Sequence, residues 1–192
     1  MQALWKNRKG QVEIRSLAEP QLRDSNDVKI RIRYCLIGDV DLRMYREGDF
    51  CAKDSIAGFE MVGDIVDLGD SAAADGFQVG DRVTSMPVLF CGKCKFCKNG
   101  QENRCVDIIN TQGALCEYIV RKSKQLVKIP SHISDQQACF TLRIAETLEA
   151  IEKLDPKFSE IIAVLGGGPS GIIAAQLLQK KGVGNVFIIE PS

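Results

Sequence analysis

The sequence predicts an α/β protein in which a mostly-β body precedes a partial βαβ unit. Three observations carry this prediction. Stretches that alternate apolar and polar residues fill about the first 130 positions, four cysteines interrupt them, and a glycine-rich turn follows a purely apolar stretch near the end. Alternation with period two is typical of a strand with one buried face, and an uninterrupted apolar stretch is typical of a strand buried on both faces.

The mostly-β body is predicted from short strands that glycine and aspartate turns separate. Strands are expected at 28–34, 61–68, 77–83, 117–120 and 125–129. Strands this short, in this order, are typical of a compact and mostly antiparallel barrel or sandwich. The cysteine segment is then an excursion from that body.

The four cysteines have the spacing C-x2-C-x2-C-x7-C, at Cys91, Cys94, Cys97 and Cys105. Four closely spaced thiolates are a complete ligand set for tetrahedral zinc, with no position left for a water or a substrate. We therefore predict one structural zinc ion per chain, in a lobe that covers residues 91–105. The alternatives are two disulfides or four unrelated thiols, and a reducing compartment argues against disulfides.

Helical periodicity begins at the capping box Ser134-Asp-Gln-Gln137 and continues to residue 154, where Asp155-Pro156 is expected to end the helix. One βαβ unit follows, with a strand at 160–165, a helix at 172–181 and a strand at 186–190. The predicted domains are residues 1–154 and residues 155–192.

The turn inside the βαβ unit has the pattern G-x-G-x-x-G, formed by Gly166, Gly168 and Gly171. Between a buried strand and a helix this pattern is typical of a dinucleotide site. The glycines there allow a tight turn, close approach to the pyrophosphate and close helix packing. Glu190 follows the second strand and is expected to bind the adenosine ribose, which favours NAD over NADP. The alternative is a glycine-rich turn that binds nothing.

The composition excludes several classes of function. Lys plus Arg and Asp plus Glu both total 25, so no net charge attracts nucleic acid. No apolar stretch is long enough for a signal peptide or a transmembrane helix, so we expect a cytoplasmic protein that neither spans nor binds a membrane. Thiols stay reduced in that compartment, where the eight cysteines of this chain point toward metal binding. Cys35, Cys51, Cys116 and Cys139 lie outside the four-cysteine segment and are predicted to be small buried side chains.

Taken together, these segments resemble the zinc-containing medium-chain alcohol, polyol and threonine dehydrogenases. The resemblance rests on the four-cysteine lobe, Gly58-Phe-Glu60, Val79-Gly-Asp-Arg-Val83 and Val164-Leu-Gly-Gly-Gly-Pro-Ser-Gly171. It covers essentially the whole chain. It implies a GroES-like barrel domain followed by a Rossmann domain, NAD as cofactor, and an alcohol, a polyol or a carbonyl compound as substrate.

The chain departs from that family at the catalytic zinc. Gly38 stands where the family has a ligand cysteine, and Phe59 stands where it has a ligand histidine. Leu142 and Arg143 occupy the region of the third ligand, and Glu146 lies nearby. The residues of the proton relay are also changed, to Val40 and Arg43, whereas Asp41 and Glu60 remain from the residues that support the zinc ligands in the family. Since an open zinc site needs three protein ligands, we expect no catalytic zinc and assign no catalytic residue.

Two functions remain open. The first is a fragment or divergent member of an NAD-dependent oxidoreductase that has one structural zinc. The second is a non-catalytic protein, binding a nucleotide or a partner, on a retired dehydrogenase scaffold. Only the first half of a Rossmann domain is present, so residues such as Ile161, Val164, Phe187 and Ile189 are expected to meet water. We therefore expect either a homo-oligomer or a missing C-terminal half, and no turnover by the chain as given.

Overall fold

The computed structural model describes residues 1–7, 11–47, 55–111 and 113–191. The strands are β1 (Gln2–Lys6), β2 (Val12–Ser16), β3 (Asp27–Leu36), β4 (Ser55–Ile56), β5 (Glu60–Leu68), β6 (Arg82–Ser85), β7 (Val88–Leu89), β8 (Ile109–Asn110), β9 (Tyr118–Lys122), β10 (Leu126–Lys128), β11 (Ile161–Leu165) and β12 (Asn185–Ile189). The helices are α1 (Asp39–Glu47), α2 (Asp70–Ala74), α3 (Lys95–Lys98), α4 (Asp135–Ala138), α5 (Thr141–Leu154) and α6 (Pro169–Lys180).

The chain forms two compact units, residues 1–139 and residues 140–192. In the first unit, five antiparallel strands pair in the order β10-β6-β5-β3-β9. A three-stranded sheet has the order β2-β1-β4, and β7 pairs with β8 beside the cysteine segment. A mixed α/β protein with a mostly-β first part is thus confirmed.

The core of the first unit lies on one face of the five-stranded sheet. Val28 and Ile30 of β3, Met61 and Ile65 of β5, and Val83 of β6 are fully buried or within 1% of it. Each such side chain is worth about 1.5–3 kcal/mol when it leaves water. Because β3 alternates apolar and basic residues, its register places Val28 and Ile30 inward and Arg31 outward.

One predicted strand is wrong in its bounds. The segment 77–83 alternates well enough for a strand, yet β6 begins only at Arg82. Residues 78–81 form a turn instead, in which the Asp81 carboxylate accepts the Gln78 N–H at 2.9 Å and Gly80 has φ +92°. Local bonding by the aspartate side chain competes with the strand pattern here.

The helix predicted from Ser134 to residue 154 is two helices. The capping box at Ser134 and Gln137 is confirmed, but α4 ends at Ala138 and α5 starts at Thr141. Ala138 and Cys139 are buried against Val62, and this packing of the first unit overrides the helical periodicity. The far end is as predicted, since α5 stops before Asp155, which has φ +47°.

In the second unit, β11 and β12 are parallel and joined through α6, which confirms the predicted βαβ unit. Helix α5 packs beside α6, and Ile151, Leu178 and Val183 form their buried cluster. The predicted domain boundary after residue 154 places α5 in the first domain, whereas the compact units divide before it. As a statement about family domains, that boundary stays a prediction.

The two-stranded sheet is covered on one face only. Ile162, Val164 and Val186 pack against the helices. The opposite face is open, with Ile161 70%, Phe187 55% and Ile189 54% exposed. The expected exposure is therefore confirmed for these three residues and wrong for Val164, because strand alternation turns Val164 toward α6.

Candidate metal and dinucleotide sites

The four predicted zinc ligands converge in the structure. The thiols of Cys91, Cys94, Cys97 and Cys105 all lie within 4.8 Å of one another. Short elements position them, since Cys94 caps α3 and Cys97 lies on it, while Cys105 ends a 3-10 turn formed by residues 102–104. Gly92 and Gly100, with φ +70° and +68°, provide the left-handed turns that this wrapping requires.

The sulfur spacing tests whether a metal fits. The Cys91 and Cys97 sulfurs are 3.9 Å apart, and the Cys94 and Cys97 sulfurs are 3.6 Å apart. Four sulfurs at about 2.3 Å from one tetrahedral ion would be about 3.8 Å from each other. The donor set and its spacing thus fit a single structural zinc ion.

Backbone amides surround the sulfurs and stabilise thiolate charge. Cys94 N–H donates to Cys91 Sγ, and Cys91 N–H and Asp107 N–H both donate to Cys105 Sγ, each at 3.4 Å. Amide hydrogen bonds from Cys97 and Val106 lower the pKa of Cys94 to about 6. Burial raises the pKa of Cys97 to about 12 in the absence of a metal. Bound zinc would supply the charge that keeps all four sulfurs deprotonated.

The three glycines of the predicted dinucleotide site differ in what surrounds them. Gly166 has φ +103°, which makes it the residue of the tight turn. A Cβ on Gly171 would collide with the Gly166 carbonyl oxygen, so this residue allows close packing. A Cβ on Gly168 would meet nothing within 4 Å. The open space beside Gly168 is where the pattern expects pyrophosphate to pass.

Helix α6 begins at Pro169, three residues before the predicted start, with Gly168 as its N-cap. Proline is favoured at the first helical position, where its missing N–H is not needed. The first turn of α6 contains no acidic residue. Its unpaired N–H groups and the positive end of the helix dipole are consequently offered to an anion at the glycine loop.

Glu190 lies against this loop, as the sequence predicted from its place after β12. Its Oε2 accepts the Gly167 N–H at 2.5 Å, and the Gly166 N–H bonds to the Ile189 carbonyl oxygen at 2.8 Å. The end of β12 is thereby tied to the turn. A ribose on Glu190 and a pyrophosphate at Gly168 would lie on neighbouring parts of one site.

Asp41 lies in the region where the resemblance places the ligands of a catalytic zinc. It is buried, and its two carboxylate oxygens accept the N–H groups of Gly38 and Gly58, both at 3.0 Å. The carboxylate thus joins the two segments that carry the replaced positions, Gly38 and Phe59. Sequence reasoning assigned Asp41 a role only in support of a zinc ligand and missed this one.

Three cysteines outside the lobe are free thiols in the first unit. Burial raises the pKa of Cys35 to about 12 and the pKa of Cys116 and Cys139 to about 11. They are therefore neutral thiols at neutral pH. Their prediction as buried side chains is confirmed for Cys139 and is wrong for Cys35 and Cys116, which are partly exposed. Cys51, the fourth predicted in this way, lies outside the described residues.

The remaining predicted positions lie on helices. Val40 and Arg43 are exposed on α1. Arg143 is buried on α5, where its Nη1 donates to Ser170 Oγ at 3.2 Å. Glu146, one turn further along α5, is exposed. No helix among the described residues has the length and apolar character to cross a membrane.

Comparison with known proteins identifies the family of the chain. Residues 24–131 match the family model of the alcohol dehydrogenase GroES-like domain. The sorbitol dehydrogenase of Halalkalibacterium halodurans is 33% identical, over 98% of this chain and 56% of that relative. The L-threonine 3-dehydrogenase of Pseudoalteromonas translucida is 32% identical, over 85% of this chain and 49% of that relative. The chain thus spans about half the length of these relatives.

Among solved structures, an alcohol dehydrogenase from Escherichia coli CFT073, complexed with NADH, superposes with a TM-score of 0.89. It is 25% identical, and the match covers 98% of this chain and 56% of that one. The fold of both units is therefore one that binds a nicotinamide cofactor in a solved relative.

Proposed function

Because this chain belongs to the family of zinc-containing medium-chain alcohol and polyol dehydrogenases, we propose that it is part of an NAD-dependent oxidoreductase. Its substrate is an alcohol, a polyol or the corresponding carbonyl compound. The chain contributes the structural zinc lobe and the first half of the cofactor site. Residues 1–154 correspond to the GroES-like domain and residues 155–192 to the start of the Rossmann domain.

The observation that carries this proposal is that the three glycines of the loop have different structural roles. Gly166 makes the turn, Gly171 packs the helix, and Gly168 leaves a space that no protein atom uses. Gly168 has a negative φ of −66°, so its backbone conformation does not itself require glycine. When bound, NAD supplies the hydride acceptor, and the residues of this chain bind and orient it.

We assign the structural zinc to Cys91, Cys94, Cys97 and Cys105, with one ion per chain. No second ion is assigned at residues 38–60, because a glycine and a phenylalanine provide no ligand atoms there. Glu190 binds the ribose hydroxyls and selects NAD. Hydride transfer in the whole protein is then assisted by side chains and not by a metal.

The second candidate is a non-catalytic nucleotide- or partner-binding protein on the same scaffold. The closed arrangement around Asp41 favours it, because the carboxylate that supports a zinc ligand in the family here holds Gly38 and Gly58. The spacing and surroundings of the glycine loop favour the enzyme. A retired scaffold would be free to lose NAD binding.

The open face of the β11–β12 sheet points to a partner. Ile161, Leu165 and Phe187 are each more than half exposed. We propose that a C-terminal half or a second copy of the chain covers them in the whole protein. Reduced thiols and the absence of net charge support a cytoplasmic location with neither nucleic acid nor membrane as partner.

Zinc counting and NADH titration on the protein in its natural length test the proposal. We expect one zinc per chain, NADH binding, and NADH-forming turnover with a polyol or an amino alcohol. Gly168→Ala should weaken NADH binding while the melting temperature stays constant, because the new methyl group meets no protein atom. Turnover absent in the presence of tight NADH binding would support the second candidate. Two zinc ions per chain would contradict the single-zinc assignment.

A further inference from the structure

The strand β2 is the open edge of the three-stranded sheet in the first unit. Its neighbour β1 is covered on the other side by β4 and by residues 115–117, where Leu4 N–H donates to the Leu115 carbonyl oxygen at 2.8 Å. All five residues of β2 are exposed, and Ile14 is 74% exposed. Because β2 has no proline and pairs with β1 without a bulge, two common devices that keep a further strand from an edge are missing from β2.

The hydrogen bonds between β1 and β2 show which backbone groups face the open side. The Met1 ammonium donates to the Leu17 carbonyl oxygen, and Leu17 N–H donates to the Met1 carbonyl oxygen, both at 2.8 Å. Bonded and non-bonded pairs alternate along an antiparallel ladder, so the odd-numbered residues of β2 bond to β1. Three residues therefore direct their N–H and C=O groups away from the sheet, and no described residue bonds to these groups: Val12, Ile14 and Ser16.

The sequence of β2, Val12-Glu-Ile-Arg-Ser16, is complementary to itself in one antiparallel register. When Ile14 of one copy lies opposite Ile14 of a second copy, Glu13 of each copy lies opposite Arg15 of the other. Opposite charges stabilise such cross-strand pairs, and like charges destabilise them. If one strand slides by two residues, either two Glu13 side chains or two Arg15 side chains face each other. Charge thus selects the register that is centred on Ile14.

The charged side chains of β2 already lie on one face of the strand. Arg15 Nε donates to Glu13 Oε1 at 2.5 Å, and the guanidinium carbon of Arg15 is 5.0 Å from the centroid of the Trp5 ring. This cation–π contact holds the guanidinium against the sheet surface. Ile14 lies on the opposite face, beside its pair Leu4 on β1. An added strand would consequently meet a charged face and an apolar face that are both in position.

We propose that β2 is an interface between two copies of this chain, which pair their β2 strands antiparallel about a two-fold axis at Ile14. Each of the three outward-facing residues then exchanges two backbone hydrogen bonds with the second copy. The two Ile14 side chains lie side by side on one face, and each Glu13 contacts the Arg15 of the other copy on the opposite face. This interface does not depend on the proposed cofactor site, whose glycine loop belongs to the second unit.

Sedimentation equilibrium of the natural-length protein, measured over a range of concentrations, tests the charge pairing. One short strand pair is a small interface, so we expect a Kd above about 1 μM for this association step. Glu13→Arg and Arg15→Glu should each raise that Kd by at least about 10-fold, because like charges then face each other twice in the dimer. Glu149→Arg, which makes the same charge change on the exposed side of α5, is the control and should leave the Kd unchanged.

Mixing the two charge variants separates pairing between copies from damage within one copy. In an equimolar mixture of Glu13→Arg and Arg15→Glu, every substituted position faces an opposite charge on the other copy. The mixture should therefore associate as strongly as the unaltered protein, although each variant alone does not. Failure of the mixture to associate overturns the inference.

Ile14→Pro tests the backbone pairing. Proline removes the N–H at the two-fold axis, and that N–H takes no part in the bonding of β2 to β1, so the fold and the melting temperature should be unchanged. Where the unaltered protein associates, the average mass of Ile14→Pro should fall to about half, because the two central hydrogen bonds are lost. An equal mass of both proteins overturns the inference, and the edge then pairs with a different protein or with none. If Ile14→Pro does not fold, the mixture of charge variants decides.

Discussion

The cysteine lobe and the region around Asp41 differ in the groups that their side chains bring together. In the lobe, four sulfurs lie within 4.8 Å and amides donate to them. Around Asp41, the ligand positions hold Gly38 and Phe59, and the carboxylate binds two backbone N–H groups. One region brings four possible metal ligands together, and in the other a carboxylate joins two backbone segments by hydrogen bonds.

The two arrangements depend on their residues in different ways. A structural site with four thiolates depends on every ligand, because removal of one leaves the others with uncompensated charge. The Asp41 carboxylate needs no metal, since its buried position is satisfied by the N–H groups that it accepts. We expect the two regions to respond differently to substitution.

The largest effect is expected from Cys97→Ser. Loss of one thiolate should abolish zinc binding, a contribution on the order of 10 kcal/mol in small zinc domains, and the lobe should become sensitive to protease. Elemental analysis of the purified chain measures the zinc. Cys139→Ala, which alters a buried thiol outside the lobe, should retain one zinc per chain. Retention of zinc by Cys97→Ser would show that the lobe is not a four-thiolate site.

The next effect is a difference in thiol reactivity after zinc is removed by a chelator. At pH 7, a pKa of about 6 leaves Cys94 mostly as thiolate, whereas a pKa of about 12 leaves Cys35 almost entirely protonated. Iodoacetamide reacts with the thiolate, so Cys94 should be labelled far faster. Mass spectrometry of the digested protein measures both sites.

In urea the two thiols should be labelled at similar rates, because burial and amide hydrogen bonds are lost. Equal labelling of Cys35 and Cys94 in the folded protein would mean that the thiol of Cys35 is accessible, and the contrast between the two regions would fail.

A smaller effect is expected from Asp41→Ala. This change leaves the N–H groups of Gly38 and Gly58 without their acceptor, at a cost of about 2–4 kcal/mol in the free energy of unfolding. Asp41→Asn keeps one acceptor oxygen and should lose about half as much. Urea denaturation measures both, and Asp39→Ala on the same helix should cost less than about 1 kcal/mol. Equal stability of Asp41→Ala and the unaltered protein would remove the role we assign to this carboxylate.

The smallest effect is expected from Phe59→His. Restoring one imidazole supplies one of the three ligands that a catalytic zinc needs, and Gly38 still lacks a ligand atom. Zinc should therefore stay at one per chain, and the melting temperature should shift by only a few degrees, on the order of 1 kcal/mol. A second bound zinc would mean that two further ligands are already in place.

Features that depend on residues close in sequence could be predicted from the sequence. The capping box at Ser134, the end of α5 at Asp155, the strands of the βαβ unit and the gathering of the four cysteines all depend on residues close in sequence. Their physical causes, such as hydrogen bonds to nearby N–H groups and short loops between ligands, act locally. The predicted start of β6 was wrong because the Asp81 side chain stabilises a turn where the sequence pattern predicts a strand.

Tertiary packing determined the features that the sequence pattern could not predict. The break between α4 and α5 depends on Val62, which contacts Ala138 and Cys139 from a distant strand. The bonds from Asp41 to Gly58 and from Arg143 to Ser170 join segments 17 and 27 residues apart. The sequence determines which side chains and backbone groups can form hydrogen bonds. Which of these groups come into contact depends on the burial of apolar faces, because the free energy of that burial is gained over the whole fold.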